Sequence, residues 1–351
     1  MKRTVKIICT LIFITTLFSL FAFADFTVTP DDIIGTWYGE YTGVSGSTYV
    51  QRYMHMTITN CDENGKFSGT ANITAVAGQG YENQWVNYYF DGYISANNGF
   101  NMQGHSIITS AGGNWRLVPF NGKFSLNADN ELFVEGIADN NSSRPFYFAR
   151  TSKWAQQEIM EANIAKLIPD TLLKKDLSKP VTRAEFAAIS TCLYSRLTNT
   201  SPAAVSSPFT DIDGNENKEY IQKAYGIGIT TGVTDELFSP DTFINREQVA
   251  TMLCRTVKAF AFDGWTLEND SSFILDTTGV TKYEDDADIS DFAKQSVYYL
   301  SKHGIITGID DTHFAPKNIT KLHAESNYAT ATREQAIVLS LRIYKNASIW
   351  K

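Results

Sequence analysis

Three helix starts in this chain carry the same signature. They are Thr182-Arg183-Ala184-Glu185, Asn245-Arg246-Glu247-Gln248 and Thr332-Arg333-Glu334-Gln335. Each fits a capping box, a small polar N-cap with Glu or Gln three residues later, and each leads into an apolar helical stretch. One helix–loop–helix unit cannot bury its apolar face alone, so a chain that writes it three times must pack the copies together. The arginine in each first turn is the unusual choice. A cation there opposes the helix dipole at a cost of about 0.3–1 kcal/mol. Three at one register imply a role, and Arg with free backbone N–H groups makes an anion site. The competing role is a buried ion pair that ties units together.

The surrounding segments repeat as well. Phe209-Thr210-Asp211 and Tyr283-Glu284-Asp285 each open a unit, and an amphipathic helix follows. Then come Gly228-Ile229-Thr230-Thr231-Gly232 and Gly304-Ile305-Ile306-Thr307-Gly308, and after them Phe238-Ser239-Pro240 and Phe314-Ala315-Pro316. The offset between the last two copies is a constant 76 residues. The first unit lacks the F-x-D opening and starts at Trp154-Ala155. The third carries an insertion with His323, Glu325 and Tyr328: 50 residues separate Tyr283 from Arg333, against 37 from Phe209 to Arg246. It falls at the edge of the third groove. Asp211 and Asp285 read as helix caps.

Pro180-Val181-Thr182-Arg183-Ala184-Glu185-Phe186 resembles the signature of S-layer homology (SLH) repeats, and the resemblance spans residues 154–344. It implies an all-α, pseudo-threefold module of three repeats, at residues 153–208, 209–282 and 283–351. It also implies non-covalent anchoring to secondary cell-wall polysaccharide, which in this family often bears a pyruvate ketal. The carboxylate of a pyruvate ketal would be held bidentately by Arg183, Arg246 and Arg333. Gly228, Gly232, Gly304 and Gly308 would let backbone approach the sugar closely.

The N-terminus reads as a secretory signal over residues 1–24. Lys2, Arg3 and Lys6 precede an apolar run at 7–21 and an Ala22-Phe23-Ala24 cleavage site. The alternative is a retained N-terminal anchor. Export to the cell wall and surface layer is therefore expected, with no membrane contact after cleavage. The net charge of −8 becomes more negative once the leader cations are removed, which argues against nucleic acid as a partner. Cys61, Cys192 and Cys254 remain after cleavage, with spacings of neither a disulfide framework nor a zinc site. Cys192 and Cys254 read as small core residues.

Residues 25–152 have a different texture. Val50, Arg52, Met54, Met56 and Ile58 alternate with polar neighbours. Further strands are expected at 36–41, 66–75, 85–94, 100–108, 115–118, 122–126, 132–137 and 145–150, separated by turns such as Glu63-Asn64-Gly65 and Asn97-Asn98-Gly99. No helix crosses between them, so the sheet should be antiparallel, as a β-barrel or alternatively a β-sandwich. Gly35-Thr36-Trp37 after Pro30-Asp31-Asp32 resembles the entry to a lipocalin- or avidin-like (calycin) barrel. That resemblance implies Trp37 on the barrel floor, covered by Arg150 from the last strand.

Other motifs carry less. Asp211-Ile212-Asp213-Gly214-Asn215 lacks the Glu and Gly positions of a calcium loop and reads as a turn. The acidic run Asp285, Asp286, Asp288 and Asp291 reads as a solvated helix start. His55 and His105 could meet inside a barrel without making a metal site. Glu40, Glu82, Asp91 and Glu135 show no glycosidase spacing. No metal, cofactor or catalytic residue is expected. The chain reads as a wall-anchored protein, not an enzyme, that displays a barrel of structural or ligand-binding role, with a small apolar or sugar ligand as the partner. The alternative is a wall-anchored enzyme acting on extracellular polysaccharide.

Overall fold

A computed structural model describes residues 26–75, 84–326 and 328–350. The expected leader and Glu82 lie outside the described residues. A short helical turn, α1 (Pro30–Ile33), leads into eight antiparallel strands: β1 (Gly35–Ser45), β2 (Thr48–Cys61), β3 (Lys66–Ala75), β4 (Trp85–Ser95), β5 (Gly99–Ala111), β6 (Pro119–Leu126), β7 (Leu132–Ala138) and β8 (Pro145–Thr151). Each strand pairs with the next, and β1 pairs with β8 from Thr36↔Thr151 to Tyr41↔Phe146. The sheet is thus a closed barrel and not a sandwich. The strand expected at 115–118 is absent. Those residues form the lead-in to β6, where the Trp115 indole donates to the Ala111 carbonyl at 3.2 Å.

Alternation fixes which side chains enter the barrel. Trp37, Met54, Met56, Phe67, Phe100, Phe120, Phe124, Phe146 and Phe148 pack inside. Their rings meet mostly edge-to-face or tilted, as in Trp37–Phe124 at 5.9 Å and Phe120–Phe146 at 5.3 Å. The Arg150 guanidinium lies 5.0 Å from the Trp37 ring and donates to the Ile34 carbonyl at 2.7 Å. The Trp37 indole donates to the Ile33 carbonyl at 2.9 Å. Gly35 sits at φ +128°, and a Cβ there would meet Arg150 Nη1 at 2.9 Å. Trp37 and Arg150 therefore form the floor expected of them.

His55 and His105 do not meet. His55 is buried on the outer face of β2, whereas His105 is solvent-exposed and stacks on Tyr89 at 6.3 Å.

The second half is helical: α2 (Gln156–Ile164), α3 (Arg183–Thr198), α4 (Lys218–Gly226), α5 (Arg246–Ala261), α6 (Asp291–Lys302), α7 (Lys321–Glu325) and α8 (Arg333–Lys345). The capping boxes form at Thr182, Asn245 and Thr332. Cys254 is buried and Cys192 half-buried, and both are free thiols, as small core residues would be.

The barrel's outer face packs on this half. Tyr38, Phe133 and Ala149 join the helical core. The Tyr38 and Tyr53 hydroxyls donate to the carbonyls of Leu172 at 2.9 Å and Asn163 at 3.2 Å. Glu135 pairs with Lys174 at 2.5 Å and Glu40 with Lys166 at 4.0 Å. These two barrel carboxylates join the halves instead of sharing a pocket.

Candidate functional site: a ring of three arginine helix starts

The three arginine helices close into a ring. Arg183 and Ala184 donate their backbone N–H groups to the carbonyls of Thr242 and Pro240 at 2.9 and 3.0 Å. Arg246 and Glu247 donate likewise to Ala329 and Pro316, both at 3.1 Å. Arg333 and Glu334 complete the cycle to Lys179 and Leu177 at 3.0 and 2.9 Å. Bridges Thr182↔Phe243, Asn245↔Thr330 and Pro180↔Thr332 repeat the pattern. The N–H groups expected to complete an anion site are therefore spent on neighbouring carbonyls. Whatever these starts bind from outside must be held by side chains. The insertion after Ile319 borders the second arginine, because Ala329 at its end accepts the Arg246 N–H.

The glycines and aspartates shape the loops. Gly228 and Gly304 sit at φ +76° and +66° where α4 and α6 end. A Cβ on Gly232 would meet the Thr234 carbonyl oxygen at 2.2 Å, and one on Gly308 the His313 carbonyl oxygen at 2.3 Å. Those two glycines admit other backbone. Asp211 accepts from the Phe238 and Ser239 amides at 2.9 and 2.7 Å. Asp285 accepts from Phe314 and Ala315 at 2.9 and 2.8 Å. Neither caps a helix. Each clamps a loop whose next residue, Ser239 or Ala315, is held at φ +58°.

The three guanidinium groups divide two against one. Arg183 donates from Nε to the Phe238 carbonyl and from Nη2 to Thr231, both at 3.0 Å, and lies 4.9 Å from the Phe238 ring. Arg246 repeats this with Phe314 at 2.9 Å, Thr307 at 2.5 Å and the Phe314 ring at 5.0 Å. Among the described residues neither takes a carboxylate partner. Burial lowers the pKa of both, with Asp211 and Tyr283 as the leading opposing influences. Arg333 instead holds Glu185 at 2.8–3.0 Å and Glu131 at 2.6 Å. Burial again acts to lower its pKa, but the Glu185 and Glu131 carboxylates overcome this and raise it.

Beside Arg183 lies a groove of 260 Å³ lined by Thr231, Gly232, Gln248, Arg255 and the exposed Phe292, with no acidic side chain among its lining residues. Arg255 is a second cation in this groove, and its Nε is buried without a hydrogen-bond partner. It is not among the arginines that the repeated helix starts mark. Its signal was present, because Arg255 and Arg342 each follow their first-turn arginine by nine residues.

Two segments, residues 208–250 and 282–321, match the family model described as the S-layer homology domain. Domains of this family bind cell-wall polysaccharide and hold proteins at the cell surface. Among curated proteins, the chain is 33% identical over 143 residues to the exoglucanase XynX of Acetivibrio thermocellus, covering 40% of this chain and 12% of that protein. It is 31% identical over 224 residues to an endoglucanase of Bacillus sp. (strain KSM-635), covering 62% and 21%. It is 31% identical over 149 residues to an amylopullulanase of Thermoanaerobacterium thermosulfurigenes, covering 42% and 7%. The chain therefore spans about a fifth or less of each relative's length. No helix among the described residues is long and apolar enough to cross a membrane.

Proposed function

We propose that this chain is exported and held on the cell wall by three SLH repeats, at residues 153–208, 209–282 and 283–351, which bind an anionic secondary wall polysaccharide. The matched segments support the second and third repeats. The cyclic hydrogen bonding of Arg333 and Glu334 to Lys179 and Leu177 supports the first. The observation that carries the ligand class is the acid-free groove holding Arg183 and Arg255. Two guanidinium groups there suit a sugar-borne carboxylate such as a pyruvate ketal, and Phe292 offers a stacking face. Arg246 is the second polymer-binding arginine. Gly228, Gly232, Gly304 and Gly308 act indirectly, by shaping the loops that receive the arginines.

The barrel is the displayed module and not an enzyme. Aromatic side chains fill its interior, so a ligand would use its rim or outer face. A calycin origin accords with the Trp37–Arg150 floor. The test is sedimentation of the full-length protein with purified walls before and after removal of their secondary polysaccharide. Arg183→Gln with Arg246→Gln should weaken binding by about 10-fold or more, the loss of at least one charge-assisted hydrogen bond. Equal sedimentation with stripped walls would reject the reading.

A further inference from the structure

The third arginine differs from the other two in what surrounds it. We infer that the Arg333 position is a socket for the chain's own barrel, whose β6–β7 turn places carboxylates where the other two arginines meet backbone carbonyls and no acid. This rests on the wall-binding reading above and goes beyond it by assigning the third position a different partner. The turn, residues 127–131, supplies three side chains. Glu131 accepts from Arg333 Nη1 at 2.6 Å and from the Asp176 amide at 2.9 Å. Asp129 pairs with Lys175 at 2.6 Å and lies 3.8 Å from Arg333 Nη2. The Asn127 amide donates to the Lys174 carbonyl at 3.1 Å.

One residue choice inside the ring favours this socket. The N3 position of the capping box is Gln248 in the second repeat and Gln335 in the third, but Glu185 in the first. Gln248 lines the Arg183 groove as a neutral wall, whereas Glu185 grips Arg333 directly. Arg333 and Glu185 are 5% and 3% exposed at the side chain, and Glu131 is 11% exposed. A guanidinium already held by two carboxylates has no fork left for a third. Tethered carboxylates also outcompete free polymer, because their local concentration is set by the chain. The consequence is two polymer-binding arginines, with the barrel held in one orientation on the anchor.

The experiment uses the full-length protein, wall sacculi retaining their polymer, and tryptic cleavage after Lys174 and Lys175 as a measure of barrel release. A triple variant, Arg333→Gln, Glu131→Gln and Glu185→Gln, removes the charges as a set and strands none. It should keep wall affinity within about twofold, as for a residue away from the ligand, while Arg183→Gln loses about 10-fold. It should also be cleaved about 10-fold faster than the parent chain, because the Arg333 ion pairs that hold this segment against the barrel turn are gone while Asp129 and Asn127 remain to close it. The milder pair Asp129→Asn and Glu131→Gln leaves Arg333–Glu185 intact; it too should be cut faster, with wall binding not reduced. Loss of wall binding in either variant to the extent seen for Arg183→Gln would overturn the socket, as would unchanged cleavage in both. If Arg183→Gln itself binds like the parent, the wall-binding reading fails first, and the socket falls with it for a separable reason.

Discussion

His55 should make this protein acid-sensitive between pH 7 and pH 4. Its ring is buried on the outer face of β2, against which α2 packs, and its Nδ1 has no hydrogen-bond partner. Burial pushes its pKa down to about 4 from the ordinary 6.5. The folded state thus keeps the ring neutral after the unfolded chain has bound a proton. Well above pH 6.5 neither state is protonated and His55 has no effect. As the pH falls from 6.5 to 4 the unfolded state takes up more protons, and stability declines. Linkage puts the loss at about 2 kcal/mol by pH 5 and about 3 kcal/mol by pH 4. Carboxylates titrate near the lower end, so the measurement must be a difference. Urea unfolding of the parent and of His55→Leu at pH 7, 6 and 5 isolates the term. The parent should lose about 2 kcal/mol more than the variant between pH 7 and 5. Parallel pH profiles would show that the ring is protonated in place and would refute the argument.

Three further outcomes follow from the packing. Trp37→Ala should destabilise the barrel by about 3–5 kcal/mol, read from the denaturant midpoint of near-UV circular dichroism, because it opens a cavity on the floor beneath Arg150. Asp285→Ala should cost about 2–3 kcal/mol in thermal unfolding, since it strands the Phe314 and Ala315 amides in a loop already held at positive φ. Raising the salt from 0.1 to 1 M should weaken wall sedimentation, because the screening length falls from about 10 to 3 Å and the attraction of the wall-binding arginines for polymer falls with it.

Much of the barrel could be read from local pattern. Alternation along β2 places Val50, Arg52, Met54, Met56 and Ile58 on one face, and Met54, Met56 and Ile58 are core residues of the barrel. The Gly35-Thr36-Trp37 entry foretold both the buried indole and the arginine above it. The misplaced strand at 115–118 has a simple cause. Trp115 and Val118 look like strand residues, but the ladder to β5 begins only at Gln103↔Pro119. Up to that point Trp115 is occupied by the Arg52 guanidinium, 4.9 Å from its ring. Propensity described the side chains correctly, while long-range pairing decided the strand.

The ring shows where local reading stops. The capping boxes were visible because a box closes within four residues, and all three form. The partners of the first-turn amides were not visible, since each lies in the next unit and, for Arg333, in the first. The same holds for Glu247 and Glu334, one residue on from their arginines. Glu247 accepts from the amide and hydroxyl of Ser290, the N-cap of α6. Glu334 accepts from the Ser152 amide and the Thr151 hydroxyl, where the barrel's last strand passes into the helical half. Helix α3 has Ala184 at this position and makes no such cap. A first turn therefore divides its work by position. In α5, Arg246 at N1 takes its guanidinium to the neighbouring loop, Glu247 at N2 caps α6, and Gln248 at N3 closes the box. Substituting one position should leave the others formed. Glu334→Gln should then loosen the strand-to-helix passage at residues 151–153 while leaving the capping box at Thr332 and the cyclic bridge Pro180↔Thr332 in place. Amide exchange that accelerates at Ser152 and stays slow at Gln335 would bear this out, and equal acceleration at both would show that the first turn unfolds as one piece.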